Sequence, residues 1–342
     1  MYDELLQRTR EAIQSVRSVL KTNEQLRSIV FAEDEGEVAD LKKTLLAHID
    51  TPPDPTLWRV HDHCAAVTRL YAIYEHFVVE IVGDWLSLLP KLVPNYQTLS
   101  DSVHKEHRKG VARVLQNLGS TKFRHLTALD AIRGFHQAVS GAESYELLPE
   151  AFALREQNYR QEILQEIFTS VAVLESWAWI QGHRQVQGYV EKVGSDSTKA
   201  ENELKQFVQD RNDAAHGVVD EVLSVTKIIE LSELVEALCV AIGEMLSWAV
   251  VSRKEENGAA TTVGAVTEKF ANGAVVAKMQ HVEFQLGDRF YVCGVSCCYP
   301  AIVRSIRLND VDQQQLAVTN ETEVGLMFDR EVKTNRKLYR VI

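Results

Sequence analysis

The chain has 342 residues, more than one ordinary domain, and 45% of them are hydrophobic against 25% charged, so it can bury real cores and is not broadly disordered. Thirty-seven Lys and Arg against 48 Asp and Glu leave a net charge of −11. This excludes an overall positive field that would gather nucleic acid from a distance, so any such contact has to come from a local patch.

Five cysteines, with Cys293, Cys297 and Cys298 crowded together, form neither an even disulfide framework nor a paired CxxC zinc pattern. They read as buried or idle thiols in reducing surroundings. The N-terminal MYDELLQRTREAI is charged from its third residue, unlike a signal peptide, and a cytoplasmic location is expected. The most apolar stretch, LVEALCVAIGEMLSWAVV, carries Glu236 and Glu244 and therefore reads as a buried helix and not as a membrane span.

From residue 1 to about 255 the apolar residues recur at three- and four-residue spacing, which predicts helices almost throughout. Leu5, Leu6, Ile13, Val16 and Leu20 give a first helix one apolar stripe. EDEGE around Gly36 and TPPDP at 51–55 break the chain, and a boundary is placed there. Between Trp58 and Trp85 runs a helix that is apolar on most faces and so belongs at the centre of a bundle. Further helices are expected at about 101–118, 126–140, 147–155, 159–166 and 171–193. Thr198 and Glu201 have capping-box spacing, which starts a helix near 199, and Gly217 is a natural end or kink of it. A last helix is expected from about Thr226 to Ser252. At EENGAATTVG the composition turns small and polar, as in a flexible linker. Beyond it the pattern alternates with period two between turn signals such as ANG, LGD and LND, which predicts a small all-β barrel of about eighty residues.

Within KQFVQDRNDAAHG, Asn212 and His216 lie four residues apart and share a helix face, while Arg211 lines up with Phe207 and Ala215. Leu204, Phe207 and Val208 can anchor this helix, leaving the polar groups at its C-terminal end. Such groups suit cleavage of RNA by its own 2′-hydroxyl: imidazole moves protons near neutral pH, guanidinium clamps a phosphate, and an amide orients the attacking hydroxyl or a phosphate oxygen. In-line displacement needs a base on one side of phosphorus and an acid on the other. One His per chain therefore argues for two copies across a two-fold axis. The competing reading pairs Arg211 with an acid such as Asp210 or Glu75 and leaves His216 to favour the helix dipole.

RNDAAHG, an R-N-x3-H-G arrangement near the end of an all-α region, resembles the signature of the HEPN superfamily, R-x4-6-H. LYAIYEHFVVEI is similar to the first core helix of these domains, and YELLPEAFALREQNYRQEILQEIF to the middle of the bacterial RiboL-PSP-like and related groups. The resemblance covers roughly residues 56–252. It implies a dimeric, metal-independent endoribonuclease of a toxin, abortive-infection or antiviral system, with Arg211, Asn212 and His216 at the catalytic positions and Glu75 behind Arg211, where Asp210 is a further acid.

The segment from Val263 to Ile342, with its LGD turn and its EVGLMFD strand, resembles the second, β-barrel domain of elongation factor Tu-type translation GTPases. No G-x4-G-K-[ST] phosphate loop occurs, so GTP hydrolysis is not implied. The resemblance implies a module that brings the chain to tRNA, to the translation machinery, or to a phage protein or antitoxin. Residues 263–342 hold ten Lys and Arg against nine Asp and Glu, a net of +1. Lys333, Arg336, Lys337 and Arg340 form their best basic patch for RNA.

HDHC at 61–64 and HKEH at 104–107 look metal-like, yet they lack companion ligands and read as surface or core histidines. No G-x-S-x-G elbow or G-x-G-x-x-G fingerprint supports another enzyme class. The expected architecture is therefore multi-domain α plus β: an N-terminal helical segment (1–55), a HEPN helical bundle (56–252), a linker (253–262) and a translation-factor-like β-barrel (263–342). The expected activity is metal-independent cleavage of tRNA or another structured RNA by a homodimer, with no cofactor and no membrane partner. A non-catalytic dimerisation scaffold or a nucleotide- or partner-binding protein is the alternative.

Overall fold

The computed structural model describes residues 2–33, 36, 38–49, 51–141, 145–153, 158–194, 199–217 and 221–342. In chain order the helices are α1 (Asp3–Val30), α2 (Ala39–Leu46), α3 (Pro55–Leu92), α4 (Asp101–Gln116), α5 (Ala128–Ser140), α6 (Pro149–Ala153), α7 (Gln161–Ser170), α8 (Ser176–Gly182), α9 (Arg184–Lys192), α10 (Lys199–His216) and α11 (Val225–Glu256). Nine strands follow: β1 (Ala260–Lys269), β2 (Val275–Met279), β3 (Val282–Gln285), β4 (Arg289–Gly294), β5 (Cys297–Leu308), β6 (Val311–Gln313), β7 (Gln315–Val318), β8 (Thr322–Phe328) and β9 (Lys337–Val341). A helical part followed by a β-barrel is the expected fold class.

The local causes are readable. Asp3 and Glu4 sit in the first turn of α1, where the helix dipole favours negative charge. Its buried stripe is Leu5, Thr9, Ile13, Val16 and Leu20, with Thr9 donating to the Leu5 carbonyl in place of an apolar contact. The TPPDP break starts α3, because the Asp54 carboxylate accepts from the backbone of Thr56 and Leu57 at 2.9 and 3.1 Å. Thr127 and Asp130 form a capping box on α5. The Thr198 capping interaction expected for α10 lies outside the described residues. One helix was expected over 171–193; instead α8 and α9 are separated at His183, whose ψ of 135° is extended. The stretch read as a linker is taken up by the end of α11, a turn with Gly258 at φ +72°, and the start of β1.

The chain divides into two compact units. The first comprises residues 1–81, 156–164 and 185–240. Here α1 is tied to α3 by Arg27 and Asp62 at 2.5 Å, with Asn23 on the other carboxylate oxygen, and to α11 by Arg17 and Glu236 at 3.1 Å. Tyr71, Tyr74 and Phe77 of α3 are buried, as is Phe207 of α10. The rings of Tyr71 and Tyr74 pack against that of Phe207 on α10.

The second unit comprises residues 82–155, 165–184 and 241–342. Its barrel closes in the order β4-β9-β1-β2-β8-β5, with β5 returning to β4; β6 extends β5, and β3 and β7 form a separate ribbon. Inward residues such as Val266, Phe290, Val292, Ala301, Leu326 and Leu338 fill it, as period-two alternation requires. Irregular register in β1, at Val266/Glu268 and Thr262/Gly264, bends that strand around the barrel. The LND turn signal holds Asn309 and Asp310 at positive φ between β5 and β6, as a tight hairpin needs.

Candidate functional site

Helix α10 builds the site from one stripe. Leu204, Phe207 and Val208 are fully buried, and the Phe207 ring packs against those of Tyr71 and Tyr74 at 5.7 and 6.3 Å. One turn on, the Arg211 guanidinium lies over Tyr71, 4.4 Å from the ring centroid. A single ring of α3 thus supports an apolar anchor and the cation beside it.

Two amides hold that cation from the side. Arg211 Nη1 donates to Asn212 Oδ1 at 3.0 Å and to Asn158 Oδ1 at 3.1 Å. Asn158 Nδ2 in turn donates to Asn212 Oδ1 at 3.2 Å, and the Tyr71 hydroxyl reaches Asn158 Oδ1 at 3.5 Å. Both hydrogens of Nη1 are committed, while Nη2 and Nε have no partner among the described residues. The guanidinium is held, and among the described residues Nη2 and Nε remain to grip an oxyanion.

His216 is one turn beyond Asn212, exposed at the end of α10, where Gly217 at φ +72° closes the helix. Its ring has no hydrogen-bond partner among the described residues. Asp210 accepts from Gln206 at 2.7 Å. Burial pushes its carboxyl up, against the opposing effects of Gln206 and of nearby His63. Glu75 is half-buried on α3 and acts electrostatically on the Tyr71 phenol, which burial in the main pushes up. Among the described residues neither acid pairs with Arg211, which takes neutral amides instead. Asn158, just before α7, carries no motif that would have marked it in the sequence.

Lys337 and Arg340 leave β9 with opposite parity: Lys337 shares its face with Tyr339 and Arg340 with Leu338. Arg340 donates to the Glu283 carbonyl and sits 3.8 Å from Asp288. Arg336 lies against Gly294, and Lys333 is exposed in the turn before β9.

Of the metal-like motifs, His63 is buried and its Nδ1 accepts from the Leu223 backbone at 3.1 Å; burial lowers its pKa. His107 is fully buried beside Tyr96, at 3.2 Å, and burial, helped by His104, pushes it down to about 4. His61 is exposed. Among the described residues no group of three or more His, Cys, Asp or Glu is placed to hold a metal ion.

The second unit has its own features that the sequence reading passed over. A cleft of about 850 Å³ is bordered by Trp179, Trp248, Arg253, Lys337 and Tyr339. Glu244 is buried and bound by His183 and Arg184.

No curated protein matches the chain. A solved structure, the selenomethionine variant of the C-terminal domain of "Geobacillus thermoleovorans putative U32 peptidase", is 14% identical over 23% of this chain and 99% of its own, with a TM-score of 0.21. The family model described as HEPN_MAE_28990-like HEPN matches residues 2–254, a span that holds α1 through most of α11 and with them Arg211, Asn212 and His216. The chain therefore belongs to the HEPN_MAE_28990-like HEPN family.

Proposed function

We propose that this chain is an endoribonuclease that cleaves tRNA or another structured RNA by attack of the 2′-hydroxyl on the adjacent phosphorus. The observation that carries the reading is the state of Arg211: a guanidinium seated on Tyr71 and tied to two neutral amides, with Nη2 and Nε open and no carboxylate partner among the described residues. A merely structural arginine in this position would be expected to pair with an acid, whereas the partners of Arg211 among the described residues are neutral amides. A pre-aimed guanidinium with no carboxylate partner among the described residues instead suits a phosphate whose charge grows as phosphorus becomes five-coordinate.

In this reaction the 2′-oxygen forms a bond to phosphorus as the bond to the 5′-oxygen breaks, leaving a 2′,3′-cyclic phosphate and a 5′-hydroxyl. The 2′-hydroxyl proton goes to a base and the 5′-oxygen receives one from an acid. An exposed imidazole at the end of α10, His216, serves one role, and His216 of a second copy serves the other, so the working form is a homodimer. The barrel would act as a targeting or sensing module in a defence or toxin setting.

The test is incubation of total tRNA with wild type, Arg211→Ala and His216→Ala in the presence of EDTA, followed by mapping of fragment ends. Cyclic phosphate and 5′-hydroxyl ends made by wild type alone are expected. No cleavage by wild type, or equal cleavage by both variants, overturns the reading and moves the weight to a binding scaffold.

A further inference from the structure

We infer that Asn158 is the positioning residue of the Arg211 site: a neutral amide, delivered from the chain just before α7, that aims the guanidinium without neutralising it. The inference rests on the reading of Arg211 as the phosphate-binding group.

The placement of Asn158 is fixed from behind. The next residue is held at both ends by α3, because the Tyr159 N–H donates to the Tyr71 hydroxyl at 3.0 Å and the Tyr159 carbonyl accepts from the Tyr74 hydroxyl at 3.2 Å. Both tyrosines are buried, at 1% and 0% exposure. A further bond from the Arg160 N–H to the Asn158 carbonyl, at 2.8 Å, closes the turn into α7. The same Tyr71 therefore lies under the guanidinium, pins the backbone beside Asn158 and donates toward its side chain.

The chemistry requires an amide. Asn158 Oδ1 meets two donors, Arg211 Nη1 and the Tyr71 hydroxyl, while Nδ2 meets an acceptor, Asn212 Oδ1. The opposite orientation would set Nδ2 against Nη1, donor against donor, so the network admits one orientation. An aspartate here would set an oxygen against Asn212 Oδ1 and place a negative charge on Arg211, turning an open anion site into an internal ion pair. An alanine would leave Nη1 one acceptor short and let the side chain leave its aimed position.

Two readouts test this on the full-length protein. The first is kcat and KM for tRNA cleavage by Asn158→Ala and Asn158→Asp, with thermal melts as the control for folding. A fall in kcat of about 10- to 100-fold is expected from misplacement of a group that acts in the transition state, with little change in KM for Asn158→Ala and with melting preserved. Wild-type rates in both variants, where Arg211→Ala is inactive, overturn the inference and leave the nuclease reading standing.

The second readout needs no activity: the Arg211 Nε–H resonance of ¹⁵N-arginine-labelled protein, assigned by its loss in Arg211→Lys. A sharp, ordered signal in wild type that becomes mobile in Asn158→Ala supports the positioning role even where no RNA is cut. An unchanged signal overturns it.

Discussion

The Arg211 guanidinium sits 4.4 Å from the centroid of the Tyr71 ring, on the residue whose hydroxyl accepts the backbone N–H of Tyr159 at 3.0 Å. Ring and hydroxyl therefore do separable jobs. Tyr71→Phe keeps the platform under the cation and removes the acceptor, leaving the buried Tyr159 N–H without that partner. We expect a loss of stability of roughly 1–3 kcal/mol, the order of a buried hydrogen bond removed. Tyr71→Leu should lose more stability through the missing ring volume and should also weaken RNA binding, since the guanidinium loses its support. Urea unfolding alongside filter binding separates the two; equal RNA affinity in Tyr71→Leu and wild type would show that the ring does not serve the site.

Much of this site was legible in the sequence, and the part that was not has a physical cause. The stripe Leu204, Phe207, Val208 follows from helical period, and so does the turn that separates Asn212 from His216. The partners of Arg211 do not. Asp210 precedes it in the chain but projects about 100° round the helix, where it meets Gln206 and the His63 side of α3. Asn158 is 53 residues away in sequence, and nothing local in REQNYRQ marks it as a ligand of an arginine. The break between α8 and α9 was missed for a related reason. The periodicity through 171–193 supports a helix, yet His183 turns extended and, with Arg184, meets Glu244 of α11. The barrel was easier, because alternation and turn signals are local.

Gly110 on α4 shows how tight the second unit is. A Cβ built there would lie 1.8 Å from the Ala151 carbonyl oxygen and 2.6 Å from its Cα, and Arg113 Nη2 donates to the same carbonyl at 2.9 Å. Judged by helix propensity alone, Gly110→Ala should stabilise α4 by about 1 kcal/mol. The contact decides otherwise: backbone atoms of α6 occupy the space, so the helices must part and the Arg113 bond must stretch. We expect a net destabilisation of about 2 kcal/mol or more, read from urea unfolding. Gly134 on α5 offers the graded comparison, since its Cβ would stand 3.0 Å from the Glu146 carbonyl oxygen, and Gly134→Ala should cost less. A Gly110→Ala protein as stable as wild type would contradict this packing.

Glu244 gives a pH dependence with a definite sign. Arg184 grips it with two bonds, Nη2 to Oε1 at 2.5 Å and Nη1 to Oε2 at 2.8 Å, His183 Nε2 stands 3.3 Å from Oε2, and the Cys298 N–H of β5 donates to Oε2 at 3.1 Å. Burial by itself would raise the carboxyl, but the hydrogen bonds and charges of His183 and Arg184 outweigh it and hold the group at about 2, below its ordinary 4.5. Because the folded value is the lower one, this stabilisation is complete above pH 4.5 and drains away as the pH falls from 4.5 towards 2. A shift of that size corresponds to something on the order of 3 kcal/mol. Glu244→Gln should be less stable than wild type near neutrality, where Arg184 and His183 lose a buried partner. Its thermal midpoint should also fall less steeply than that of wild type between pH 4.5 and 3, because the titrating group is gone. Scanning calorimetry of both proteins across that interval checks the prediction, and parallel curves would mean that another carboxylate carries the acid sensitivity.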